Sequence, residues 1–168
     1  ELLASAEVVY VYRDGRDVLV SLYLYMKQFD EAIQEVSFSE FIQMPNEFEL
    51  APGHSGSRNR VEYWRQHVGG WLHRSDVIPV SYESLHRDYR NTVAGVGRRL
   101  GLSPSGPIRP INAPSTWIGQ LWLRLARKAG IKTTTSAILP QKGAIGAWRR
   151  FFSDQDLEFF HNHGDCLL

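Results

Sequence analysis

An arginine, a serine and two glycines in this chain stand at spacings that suit an anion. In Tyr12-Arg13-Asp14-Gly15-Arg16-Asp17-Val18-Leu19-Val20-Ser21, the serine follows the first arginine by two turns of helix. A guanidinium presents a fixed fork of donors that matches a phosphate, and the Ser21 hydroxyl adds one more. The second segment, Gln141-Lys142-Gly143-Ala144-Ile145-Gly146-Ala147-Trp148-Arg149, combines charge with backbone freedom. Gly143 and Gly146 allow positive φ and close backbone approach to a phosphate, while Lys142 neutralises it. Gln141 can hydrogen-bond a phosphate without neutralising it, and Trp148 is expected to anchor the loop in the core. Taken alone, the first stretch also fits a solvated turn whose Arg16 and Asp17 decorate a helix start.

The elements around these residues sharpen the reading. Arg13 follows the β-branched, apolar run Val8, Val9, Tyr10, Val11 and precedes an amphipathic stretch, so it marks a strand-to-helix junction. In open α/β sheets, ligands sit beyond the carboxyl ends of the strands, where the next helix offers free N–H groups and the positive end of its dipole. Two segments read as strands, 7–12 and 77–81, with a candidate third at 108–111. Long helical sequence joins the first two, so they are expected to run parallel, paired directly or through another strand. Parallel sheets are buried on both faces and two strands are marginal, so further structure is expected to complete the sheet.

Apolar periodicity predicts helices after the first strand (Val18, Leu19, Leu22, Tyr25, Met26, Phe29) and over 39–44, 59–74, 91–100, 117–129 and 154–163, the last capped by Ser153. Residues 46–57 and 101–107 read as loops, and 130–148 has no clear period. The 168 residues fit one domain, a net charge of +1 argues against nucleic-acid or membrane attraction, and the lone Cys166 excludes an internal disulfide and fits a reducing compartment. No apolar run approaches a membrane span, and no Cys/His cluster has zinc spacing. Cys166 has no evident base partner, so nucleophilic catalysis is not supported. His161-Asn162-His163 sits at a helix end, and His67, beside tryptophans on a helix, is expected to make a structural hydrogen bond.

Two more segments complete a pattern: Tyr63-Trp64-Arg65-Gln66-His67-Val68-Gly69-Gly70-Trp71 and Val77-Ile78-Pro79-Val80-Ser81-Tyr82-Glu83-Ser84-Leu85. In this order and at these spacings, the four segments resemble the sulfotransferases that use 3′-phosphoadenosine 5′-phosphosulfate (PAPS). In that family a strand–R-x-x-x-D-x-x-x-S–helix segment grips the nucleotide 3′-phosphate. A W-x-x-H-V-x-x-W helix and a strand ending in Y-E-x-L follow, and a late R-K-G-x-x-G-x-W loop closes over the phosphate. The resemblance runs from about residue 7 to the C-terminus.

It implies an α/β fold, a parallel sheet flanked by helices of the P-loop-NTPase-like sulfotransferase type, here N-terminally truncated, with 1–168 a single partial domain. It places Arg13, Ser21, Gln141, Lys142 and Gly143 on the 3′-phosphate. Tyr82 goes at the adenine, and so does Trp117, which lies in Ser115-Thr116-Trp117 where relatives carry T-S-F. Both aromatic residues also fit plain core positions. Gln141 replaces the usual arginine, which weakens phosphate binding unless Arg149 or Arg150 compensates. The family's P-K-S/A-G-T-T/S-W loop with its catalytic lysine, and its histidine base, have no match here, so no residue of this chain is expected to be catalytic.

The implied reaction transfers a sulfuryl group from PAPS, without a metal, to a hydroxyl or amine of a small-molecule or carbohydrate acceptor, with this chain inactive alone. The resemblance implies a cytoplasmic location, with a Golgi-anchored one, as in other relatives, left open. The family dimer motif K-x-x-x-T-V-x-x-x-E is not reproduced between Arg149 and Glu158, which leaves a homodimer open. A non-catalytic 3′-phosphoadenosine-binding or scaffolding remnant, or a related nucleotide-dependent phosphotransferase, are the alternative readings.

Overall fold

The computed structural model describes residues 7–45, 58–108 and 143–164. Strands β1 (Val8–Tyr12) and β2 (Val77–Ser81) pair directly and in parallel, Val8 opposite Val77 and Tyr12 opposite Ser81. This register puts Tyr10 and Tyr12 on one face and Val9 and Val11 on the other, beside Ile78 and Val80. Pro79 is tolerated because β2 has no strand on its far side among the described residues.

Helix α1 (Gly15–Phe29) follows β1 after a two-residue turn and is capped by the Asp14 carboxylate on the Arg16 amide. Then come α2 (Glu31–Gln34), α3 (Phe38–Gln43), α4 (Arg60–Leu72), α5 (Tyr82–Arg87) and α6 (Tyr89–Arg99). A short 3-10 helix (Ala147–Arg150) leads into α7 (Asp154–Gly164). Polar caps fix most of these starts. Ser37 and Glu40 form a reciprocal capping box, so α3 begins one residue earlier than periodicity predicts. Asp88 caps α6 on the Asn91 amide, which moves that helix forward to Tyr89. Ser153 caps α7 as expected, its hydroxyl accepting from the Asp156 amide. Helices α2 and α5 were not anticipated. Each spans less than two turns, too short to show a periodic stripe, and owes its start to Asp30 or Ser81.

Helices α1, α3, α4 and α7 meet in one core: Leu19, Val20 and Tyr23, then Phe38, Phe41 and Ile42, then Val61, Trp64 and Val68, with Phe160 from α7. On the sheet, Tyr10 stacks on Trp71 of α4 at 5.4 Å between ring centroids. Gly15, at the first position of α1, lets the Trp64 ring lie against the backbone, since a Cβ there would stand 2.5 Å from the ring. Of the candidate third strand, Ile108 is described and is not in a strand, while 109–111 lie outside the described residues. The helix expected over 117–129, most of the segment 130–148, and Trp117, Gln141, Lys142 and Cys166 also lie outside them.

Candidate functional site

The carboxyl ends of β1 and β2 open side by side, as the parallel register requires. A cleft of about 330 Å³ lies there, lined by Tyr12 and Ser81 from the strand ends, Arg13 and Asp14 from the turn, Trp64 and Val68 from α4, and Glu83 from α5. The two turns are tied together, because the Asp14 amide donates to Glu83 Oε1 at 3.0 Å. Asp14 in turn holds Arg16 through paired bonds of 3.0 and 2.7 Å to its guanidinium. That guanidinium lies 4.2 Å over the Trp148 ring and 5.9 Å over Phe160. Arg16 is therefore clamped between its cap and two aromatic rings, where the sequence alone also allowed a solvated ornament.

Arg13 reaches along α1 toward the late glycine segment. Its Nη2 donates to the Ala144 carbonyl at 2.6 Å and pairs with Asp17 Oδ2 at 3.2 Å. Its guanidinium also covers the Tyr82 ring at 4.7 Å. Its Nε is buried and has no hydrogen-bond partner among the described residues. Leaving such a donor unpaired costs about 1–3 kcal/mol, so the site has unspent capacity for an acceptor.

Asp17 is the residue that sequence reasoning missed. Its side chain is 1% exposed, and its two oxygens accept the amides of Gly146 (2.8 Å) and Trp148 (3.0 Å). Together with Arg13 these donors satisfy a buried carboxylate, and they staple the glycine segment to α1. The Arg13/Asp17 spacing of four residues was legible, but its function was not.

The glycine segment adopts the backbone expected of it, with φ of 71° at Gly143 and 75° at Gly146. A Cβ on Gly143 would collide with the Tyr82 hydroxyl, which donates to the Gly143 carbonyl at 3.1 Å. Trp148 packs against the core, edge-on to Phe152, as an anchor should. Of the residues singled out from sequence, Arg13, Tyr82 and Gly143 are brought together. Ser21 is half-buried on α1, one turn beyond Asp17 and so on the same side of the helix. The anion-ready amides expected at the start of α1 are partly spent, since Asp14 already takes the Arg16 amide. Arg13 offers its free donor capacity along the side of α1, facing the glycine segment.

Among the described residues, His67 makes ring contacts with Tyr10 (6.1 Å) and Tyr63 (6.3 Å) in place of the structural hydrogen bond expected of it. These neighbours hinder solvation of a charge and push its pKa below the ordinary 6.5, although one edge stays in water. Among the described residues no group of histidine, cysteine and carboxylates could hold a metal ion.

A family model described as "Sulfotransferase domain" matches residues 2–165. The chain belongs to the sulfotransferase domain family. This sulfotransferase domain is 23% identical over 164 residues to the guinea-pig (Cavia porcellus) 3-alpha-hydroxysteroid sulfotransferase, covering 94% of the chain and 54% of that relative. It is 30% identical over 166 residues to Sulfotransferase 2B1 of Rattus norvegicus, covering 94% of the chain and 46% of that protein. The chain thus spans about half the length of these curated relatives. In three dimensions it is similar to mouse sulfotransferase SULT7A1 complexed with PAP, with a TM-score of 0.56, 15% identity, and coverage of 94% of this chain and 57% of that one. Retinol dehydratase in complex with androsterone and inactive cofactor PAP gives a TM-score of 0.55 at 18% identity, covering 96% and 47%. At these identities the likeness concerns the fold, and the expected α/β arrangement of parallel sheet and helices is borne out.

Proposed function

We propose that this chain forms the 3′-phosphoadenosine-recognising part of a sulfotransferase that moves a sulfuryl group from PAPS to a hydroxyl or amine of a small-molecule acceptor. The observation that carries the reading is Arg13, held at a strand's carboxyl end between Asp17, the glycine segment and the Tyr82 ring, with a buried Nε that lacks a partner among the described residues. That donor set fits a phosphate. The complexes of the two structural relatives with PAP support the same ligand class.

Arg13 from the turn before α1 and Ser21 from α1 itself bind the 3′-phosphate, with Gly143 beside them, and Gln141 and Lys142 are assigned to the same phosphate on the family resemblance. The Ala144 carbonyl now accepts the Arg13 Nη2 hydrogen, so a phosphate oxygen exchanges places with it. Tyr82, under the guanidinium, borders the adenine, and Trp117 is assigned to the same side on the family resemblance. PAPS when bound supplies the sulfuryl group, and these residues orient it, which is how such in-line transfers gain most of their rate. We assign no catalytic role to them, and read 1–168 as a partial domain. Exposure of Val9 (41%) and Val11 (51%) on a parallel sheet supports a sheet completed by further structure. A single cysteine in the chain supports a reducing compartment such as the cytoplasm.

Titration calorimetry with 3′,5′-ADP and with 5′-ADP tests the reading. The parent is expected to favour the 3′-phosphorylated nucleotide, and Arg13→Ala to weaken its binding by about tenfold to a hundredfold, the worth of a charge-assisted bond. Equal binding of the two nucleotides would instead point to a phosphotransferase-type site. Sulfation of an acceptor by the purified 168-residue chain would overturn the assignment of catalysis to other residues.

A further inference from the structure

Tyr82 and His86 stand one turn apart on α5, and Tyr82 reaches the glycine segment with His86 behind it. Their ring centroids are 4.8 Å apart, and His86 Nε2 lies 2.9 Å from the Tyr82 hydroxyl oxygen. That hydroxyl is also 3.1 Å from the Gly143 carbonyl. A phenol has one proton to give, and a carbonyl can only accept. The proton on Tyr82 therefore serves Gly143, and the second lone-pair contact must be filled by an N–H on His86 Nε2. The order of donation runs from His86 to Tyr82 to the loop.

We propose that His86 is a positioning residue, which directs the Tyr82 hydroxyl proton onto the Gly143 carbonyl and so holds the glycine segment against Arg13. The inference rests on the 3′-phosphate reading of that segment and names a residue that acts on it from outside the ligand contacts. Three features make the hydroxyl a sensitive point. Gly143 has positive φ and no room for a Cβ against Tyr82, so loop and hydroxyl are closely apposed. The Tyr82 ring lies under the Arg13 guanidinium at 4.7 Å, so its placement is shared with the anion-binding side chain. The next carbonyl, Ala144, is the one bound by Arg13, so two successive loop carbonyls are held by neighbouring donors. A histidine that presented an acceptor at Nε2 would draw the phenol proton to itself and leave Gly143 without its donor.

The test separates proton direction from ring packing. Glutamine can donate from the place of Nε2, whereas an ionised glutamate of the same shape can only accept. Hydrogen exchange of the Gly146 and Trp148 amides is read in the nucleotide-free chain, with the amides of α3 as an internal reference for folding. His86→Gln should match the parent, while His86→Glu and Tyr82→Phe should each raise exchange about threefold to tenfold, the range for one net hydrogen bond. Adding His86→Glu to Tyr82→Phe should then change nothing further. Equal exchange in His86→Gln and His86→Glu, or an additional effect of His86→Glu without the hydroxyl, would overturn the proposal. Because exchange is read without nucleotide, failure of the parent to prefer 3′,5′-ADP would count against the 3′-phosphate reading alone.

Discussion

At the scale of single residues, the site depends on a charge that is shared. Asp17 accepts two amides from the glycine segment and pairs with Arg13, so one carboxylate sets both the loop and the arginine. Replacing it by asparagine keeps the shape but leaves one oxygen, so one amide loses its acceptor. Asp17→Asn is expected to lower stability by about 1–3 kcal/mol, read as a lower urea midpoint with unchanged slope. It should also speed exchange at Gly146 or Trp148 relative to α3. The Arg13-to-Ser21 spacing is legible in sequence because Arg13 stands in the short turn that leads into the helix carrying Ser21. The amides that make Asp17 necessary are 129 and 131 residues away, and no local pattern reports them.

Among the elements, α7 carries more than its length suggests. Phe160 is fully buried, 5.7 Å from Trp64 and 6.0 Å from Phe152 between ring centroids. Through Arg16 it also touches the start of α1. Phe160→Ala should cost about 3–5 kcal/mol, the usual range for emptying a buried aromatic site. Thermal unfolding followed by circular dichroism reads this as a lowered Tm. A cost near zero would mean that α7 is not part of the cooperative core. The strands and the long helices follow from periodicity, whereas α2 and α5 follow from caps. A single serine before a short polar run is common and carries little information until the neighbouring strand ends there. Helix α5 brings Tyr82 under Arg13 and Glu83 onto the Asp14 amide, at the junction where the candidate site lies.

For the molecule as a whole, the described residues cover both faces of the sheet unevenly, with Pro79 exposed beside half-buried Tyr10 and Tyr12 on one of them. Tyr10 is covered by α4, and Ile78 and Val80 are 5% exposed, yet Val9 and Val11 on the same face of the adjoining strand are open. Among the described residues no helix is long and apolar enough to cross a membrane. The pH response of stability belongs to this scale too. His67 is held below its ordinary pKa of 6.5, so the unfolded chain binds its proton more readily than the folded one. Its contribution is complete above pH 6.5 and is lost as pH falls through the lower folded value. Urea unfolding of the parent should show stability declining below that pH, and His67→Gln should flatten this part of the profile. An unchanged slope in the variant would remove His67 as its source.

The sequence by itself determined the strand-to-helix junction at Arg13, the two parallel strands, the amphipathic helices and the positive-φ glycines. Each of these is written in local propensity or short-period patterning, which a chain expresses without knowing its distant neighbours. It also carried enough motif order to point to a family. Only the tertiary structure decided that Asp17 is a staple, that Arg16 is clamped by Asp14, Trp148 and Phe160, and that Tyr82 meets Gly143. Apart from the local Asp14 cap, these contacts join segments at least 61 residues apart, and their worth comes from burial, which turns an ordinary carboxylate or phenol into a group that must find its partner.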